Sequence, residues 1–165
     1  MKSETNHWWV AQQLIGHESL CLDTRAWDDW LSLYLADAEY WIPAWRTDGT
    51  LVEDPKNELS LIYYPNRVGL EARIFRIRTN RASSYSLAAR TNHVAQIVSV
   101  DSQGNGDLLV RSHWTASTVL DGRTAMYYGH ALYTLRQTEE GWRIARKVTV
   151  IHNDMIHEVV DIYSV

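Results

Sequence analysis

The stretch DLLVRSHWTASTVLDGRTAMYYGHALYTLRQ, residues 107–137, decides the fold. Two runs rich in β-branched and aromatic residues flank the dipeptide Asp121-Gly122. Such side chains suit a pleated surface, and Asp-Gly is a strong signal for a tight hairpin turn. The same grammar extends outward on both sides. Upstream, RTNHVAQIVSV (90–100) reaches this stretch through SQGNG, and downstream Glu140-Gly141 leads into WRIARKVTVIHN (142–153). Runs joined by short glycine turns predict an antiparallel meander. In the last run Trp142, Ile144, Val148 and Val150 share one parity, while Arg143, Lys147 and Thr149 share the other. That predicts one face in the core and one face wet or covered by a partner.

The first half of the chain reads differently. Residues 7–22 carry Trp8, Ala11, Leu14 and Ile15 near one helical stripe. Asp23 or Thr24 is a suitable cap for a second helix with Trp27, Trp30, Leu31 and Tyr34 on one face. DAEYWIPAW (37–45) reads as a strand, with Pro43 marking an edge or bulge. RTDGTLVEDPKN (46–57) is a polar loop, and ELSLIYY (58–64) is a short strand.

Asn66 then opens a third helix, RVGLEARIFRIR, that carries two apolar stripes. Leu70, Ile74 and Ile77 form one; Val68, Ala72 and Phe75 form the other. A helix on the surface of a monomer needs only one such stripe. The second predicts a covering partner, with Arg67, Arg73 and Arg76 flanking it. The whole order predicts an α+β fold, with N-terminal helices packed into a strongly curved antiparallel sheet.

A chain of 165 residues fits one domain, 1–165, large enough to bury a core without disulfides. Its one cysteine, Cys21, excludes an internal disulfide and every multi-cysteine metal framework, and fits a reducing cytoplasm. Neither a signal peptide nor a membrane-spanning apolar run is legible. The net charge of −4 argues against nucleic acid as a partner. Residues 61–100 nevertheless hold six arginines against one acid, while residues 1–60 hold eleven acids against four bases. Thirteen of the sixteen cationic residues are arginine, and the chain has eight tryptophans and nine tyrosines. Arg, Trp and Tyr are the types enriched at well-packed interfaces.

Independent catalytic signals are sparse. His93, His113 and His130 fall on consecutive strands and would share a cavity only in one register, where a histidine could work as a general acid or base. His152, Asp154, His157 and Glu158 have the residue types of a non-haem iron site but no regular spacing. No Gly-x-Ser-x-Gly elbow and no phosphate-binding glycine loop is present; Gly104 and Gly106 serve a turn.

Four segments together resemble the small (β) subunit of aromatic-ring-hydroxylating dioxygenases, of the benzoate and anthranilate type. They are YWIPAW (40–45), LSLIYYPNRVGLEARIFRIRT (59–79), RTNH (90–93) and HNDMIHEVVDIYSV (152–165). The resemblance departs at Ala88-Ala89, where a proline is expected. It implies a cone-shaped fold like those of nuclear transport factor 2 and ketosteroid isomerase (NTF2-like, or cystatin-like). It also implies an α subunit partner carrying a Rieske [2Fe–2S] centre and a mononuclear Fe(II), in an α3β3 assembly with β–β contacts. A separate NADH-dependent reductase would supply electrons, and the complex would convert an aromatic acid, benzoate by overall likeness, to a cis-dihydrodiol. The β subunit's expected role is structural, with no catalytic, cofactor or metal residue of its own. The alternative is a stand-alone isomerase, dehydratase or cyclase using His93, His113 or His130.

Overall fold

The Asp121-Gly122 turn has φ of 50° and 74°, the positive pair that lets two strands close with two residues between them. It joins β4 (Leu108–Leu120) to β5 (Arg123–Thr138), and Gly141, at φ 108°, opens β6 (Gly141–Ile151). The computed structural model describes residues 2–79, 89–157 and 159–165, with side chains from residue 6 onward. Ala88 and Glu158, both named in the sequence reading, lie outside the described residues.

The remaining elements are α1 (Lys2–Thr24), α2 (Trp27–Ser32), β1 (Tyr34–Pro43), β2 (Ser60–Tyr64), α3 (Arg67–Arg78) and β3 (Arg90–Ser102). The six strands form one sheet in the order β2-β1-β6-β5-β4-β3. All neighbours are antiparallel except β1 and β6, which are parallel. No hairpin has to join that pair, because the rest of the chain lies between them. Extra residues interrupt the ladders in β3 and β6, and such bulges bend a sheet. The helices bury their apolar stripes on one face. Ile15, Trp30, Leu70, Ile74 and Ile77 are all at most 2% exposed.

Three local expectations change. Asp23 and Thr24 do not cap α2. Helix α1 runs through both, Arg25 takes a left-handed φ of 57°, and α2 starts after Ala26 without a side-chain cap. Asp23 instead accepts from Thr91 and His93 on β3. Tyr34 does not close α2; it begins β1, where burial in the core outweighs helical periodicity.

The third change concerns β6. Thr134 faces Arg146 and Leu135 faces Ile144, so Ala145 is an extra residue on β6. A single bulged residue reverses side-chain parity beyond it. Ile144 points into the core, yet so do Lys147 and Thr149, which are 4% and 1% exposed. Val148 goes to the opposite face, into a smaller cluster with Trp41 and Val52.

Candidate functional site: the outer face of helix α3 and the interior of the cone

Helix α3 starts where the sequence places it. The Asn66 side chain accepts from the Val68 N–H at 3.0 Å, satisfying one of the orphan donors of the first turn. Gly69 lies against the Tyr64 ring, and the helix rests on β1 and β2. The stripe of Leu70, Ile74 and Ile77 is buried, whereas Val68 and Phe75 stand 65% and 61% exposed on the other side with Ala72 also exposed.

The flanking arginines divide. Arg76 is exposed, and Arg78 reaches Asp28 at 2.8 Å. Arg67 holds Glu71 at 2.9 Å and donates to the Tyr34 carbonyl at 3.0 Å. Arg73 turns back to the C-terminal tail and grips Asp161 with both arms of its fork, Nε to Oδ1 at 2.8 Å. Asp161 is fully buried, and a buried carboxylate needs a cationic or hydrogen-bonding partner. This hydrogen bond to Asp161 raises the Arg73 pKa, against the opposing effect of burial. Arg67 and Arg73 therefore have work within the chain. The Arg73 pairing spans 88 residues, beyond the reach of any local pattern.

The three histidines do not share a site. In the register, His113 faces His130 across β4 and β5, while His93 faces Ala116. His93 thus lies on the inner face with Ala116, Trp114 and Tyr133, and His113 and His130 lie on the outer face. His130 Nδ1 meets His152 Nε2 at 2.8 Å, beside Trp45 and Tyr128. Burial first, then the neighbouring His152, Arg111 and His113, pushes the His130 pKa below its ordinary 6.5. His152 thus pairs with His130 through this contact. No group of three or more candidate metal ligands gathers among the described residues.

Inside the cone, sequence reasoning missed a buried polar network. Glu18 on α1 is 1% exposed and accepts from Lys147 Nζ at 2.9 Å, from the Tyr133 hydroxyl at 2.9 Å and from the Tyr34 hydroxyl. Burial, then the negative charge of Glu18, pushes the pKa of both tyrosines well above 10.0. Nearby, His93 Nδ1 lies 2.6 Å from Asp23 Oδ1. Burial raises the Asp23 carboxyl, but the hydrogen bonds from the His93 ring, the His93 N–H and Thr91 outweigh it and leave the pKa below 3.8. The signal for Glu18 was an acid on the predicted first helix. Its partner Lys147 falls on the wet face by simple alternation, and the Ala145 bulge turns it inward.

The cavity between these two groups has a volume of only about 20 Å³. That is room for one water, whereas small-molecule pockets run to ~300 Å³ or more. A larger cleft of about 790 Å³, lined by Arg123, Tyr127, Asn153 and His157 among others, contains none of His93, His113 and His130. Among the described residues no helix is long and apolar enough to cross a membrane.

Comparison with known proteins gives the arrangement a family. A model described as "Ring hydroxylating beta subunit" matches residues 17–158. The chain is 41% identical to the anthranilate 1,2-dioxygenase small subunit of Acinetobacter baylyi, over 96% of this chain and 97% of the relative. It is 37% identical to the benzoate 1,2-dioxygenase subunit beta of the same organism, over 93% and 90%. The crystal structure of the beta subunit of the benzoate 1,2-dioxygenase from Burkholderia mallei is similar, with a TM-score of 0.77, 35% identity, and coverage of 94% of this chain and 95% of that one. An NTF2-like protein with a cystatin-like fold from Novosphingobium aromaticivorans has a TM-score of 0.63 at 15% identity, covering 92% of this chain and 85% of that one; it shares the fold alone. The chain belongs to the β-subunit family of aromatic-ring-hydroxylating dioxygenases, and its fold is the NTF2-like α+β cone.

Proposed function

We propose that this chain is the non-catalytic β subunit of a benzoate-type dioxygenase and acts, as one domain over residues 1–165, by holding an iron-bearing α subunit in its assembly. The observation that carries this reading is the bare apolar stripe of α3, with Val68 and Phe75 65% and 61% exposed opposite a fully buried stripe. Large apolar side chains side by side on a rigid helix are what a partner covers. Val94, Val98 and Tyr128, 58%, 44% and 46% exposed, give the sheet a second apolar surface suited to β–β contacts within an α3β3 assembly.

The redox groups belong to the α subunit on this reading. A Rieske centre takes two cysteines and two histidines, and a mononuclear iron takes two histidines and a carboxylate. Cys21, the chain's one thiol, is 2% exposed within α1, with its sulfur 3.6 Å from His17. The chain's residues do not fit a Rieske centre. The complex would act in the cytoplasm, draw electrons from an NADH-dependent reductase and convert benzoate or a close aromatic acid to a cis-dihydrodiol. The stand-alone enzyme loses support twice, since the three histidines lie on opposite faces and the inner cavity is too small for a ring.

Co-expression with the α subunit of a benzoate-type dioxygenase tests the assembly. The expected result is a brown complex whose light-scattering mass exceeds that of either subunit. Phe75→Asp should release the β subunit from that complex while leaving the isolated subunit's melting temperature nearly unchanged. An intact complex in the variant would remove α3 from the interface. Turnover of an aromatic acid by the isolated chain would overturn the whole reading.

A further inference from the structure

We propose that the small cavity inside the cone is a binding site for one water molecule, which joins the Asp23–His93 pair of α1 and β3 to Thr149 of β6. Three residues lining this cavity carry buried polar atoms with no partner among the described residues: His93 Nε2, Trp114 Nε1 and Thr149 Oγ1. Their side chains are deeply buried. His93's is 7% exposed, and Trp114 and Thr149 are 8% and 1% exposed as whole residues. Each such atom left unsatisfied costs about 1–3 kcal/mol, so three carried by residues that line one space call for an occupant.

The chemistry of the three atoms selects water. The indole N–H of Trp114 can only donate. Asp23 holds its carboxyl ionised, because its hydrogen bonds overcome the effect of burial. An ionised carboxylate only accepts, so Nδ1 of His93 carries a proton towards Asp23, and Nε2 is left to exchange a hydrogen bond with the occupant. Thr149 Oγ1 can do either. The occupant must therefore accept from Trp114 and exchange hydrogen bonds in either sense with His93 and Thr149, within a volume of about 20 Å³. Water does both and fits, since a cavity needs ~10–15 Å³ and two to four polar partners to hold one. An anion would meet the Glu18 carboxylate that lines the same wall. An aromatic acid is too large. The site sits where the Ala145 bulge brings β6 around, so the water bridges the first helix to the last strand.

The test is a crystal structure of the full chain at a resolution that orders internal waters, with a parallel bromide soak. The expected result is one isolated peak within hydrogen-bonding distance of Trp114 Nε1, His93 Nε2 and Thr149 Oγ1, with no anomalous signal. An empty cavity, a halide peak or density extending over several bonded atoms would overturn the proposal. Thr149→Val gives an independent reading through its sign. With a bound water the change removes one of its anchors, and Tm should fall by about 2–4 °C. If the hydroxyl is simply orphaned, an isosteric methyl relieves a cost and Tm rises, which would sink the idea.

Discussion

At the scale of single residues, Glu18 is the most exacting position. Three donors converge on one carboxylate that is 1% exposed. A buried pair is poor evidence for net stability, because desolvation offsets much of its attraction, but breaking it leaves an uncompensated charge. Glu18→Ala should therefore cost about 3–5 kcal/mol in urea unfolding. The double variant Glu18→Leu with Lys147→Met should recover most of that loss, and a double variant no better than the single would refute the pairing argument. Gly129 is exacting for a steric reason. A Cβ at that position would run into the Val150 carbonyl on the neighbouring strand. Gly129→Ala should cost about 1–3 kcal/mol, the usual penalty for overpacking, and a melting curve unchanged from the parent would show that β6 yields freely.

At the scale of elements, α3 separates stability from assembly. Its inner stripe is core, and Ile74→Ala should lose about 2–5 kcal/mol in chemical denaturation. Its cap is worth less, so Asn66→Ala should lose about 1 kcal/mol. The outer stripe should cost almost nothing in the isolated subunit and much in the complex. The Ala145 bulge is the corresponding device in the sheet. Deleting Ala145 would make the ladder regular and leave Lys147 two residues after Ile144, still on the inner face with its contact to Glu18. The expected outcome is a cooperative melt at a lower Tm, because the register is kept and only the bend supplied by the bulge is lost; an abolished cooperative transition would contradict this register.

At the scale of the whole molecule, titration reports on both faces of the sheet. Tyr34, Tyr40 and Tyr133 all have pKa values raised well above 10.0, chiefly by burial. An acid whose folded pKa is raised supplies stability in full below its unfolded value and loses it as pH climbs past that value. Ultraviolet titration should show the exposed tyrosines ionising first and these three only as the fold is lost. His130 behaves in the opposite sense. Its folded pKa lies below 6.5, so the unfolded chain takes up the proton more readily. That contribution is complete above pH 6.5 and disappears as pH falls through the lowered folded value. His130→Phe should flatten the decline of Tm on that acid side, and an unchanged pH profile would overturn the lowered His130 pKa.

Local pattern was enough for the strand runs, the Asp121-Gly122 hairpin, the Asn66 cap and the double stripe of α3, because turns, caps and periodicity depend on neighbours a few residues apart. The lone cysteine likewise excluded an internal disulfide and a multi-cysteine cluster in this chain, and the segments 40–45, 59–79, 90–93 and 152–165 together were specific enough to name the family. Tertiary structure decided what depends on distant residues meeting. One extra residue at 145 turned Lys147 inward to Glu18. Asp161 claimed Arg73 from 88 positions away. The register put His93 on one face of the sheet and His113 and His130 on the other. Charge pairing and strand register are set by the closing of the whole sheet, and a slip of one residue reverses both, so no window of sequence contains them.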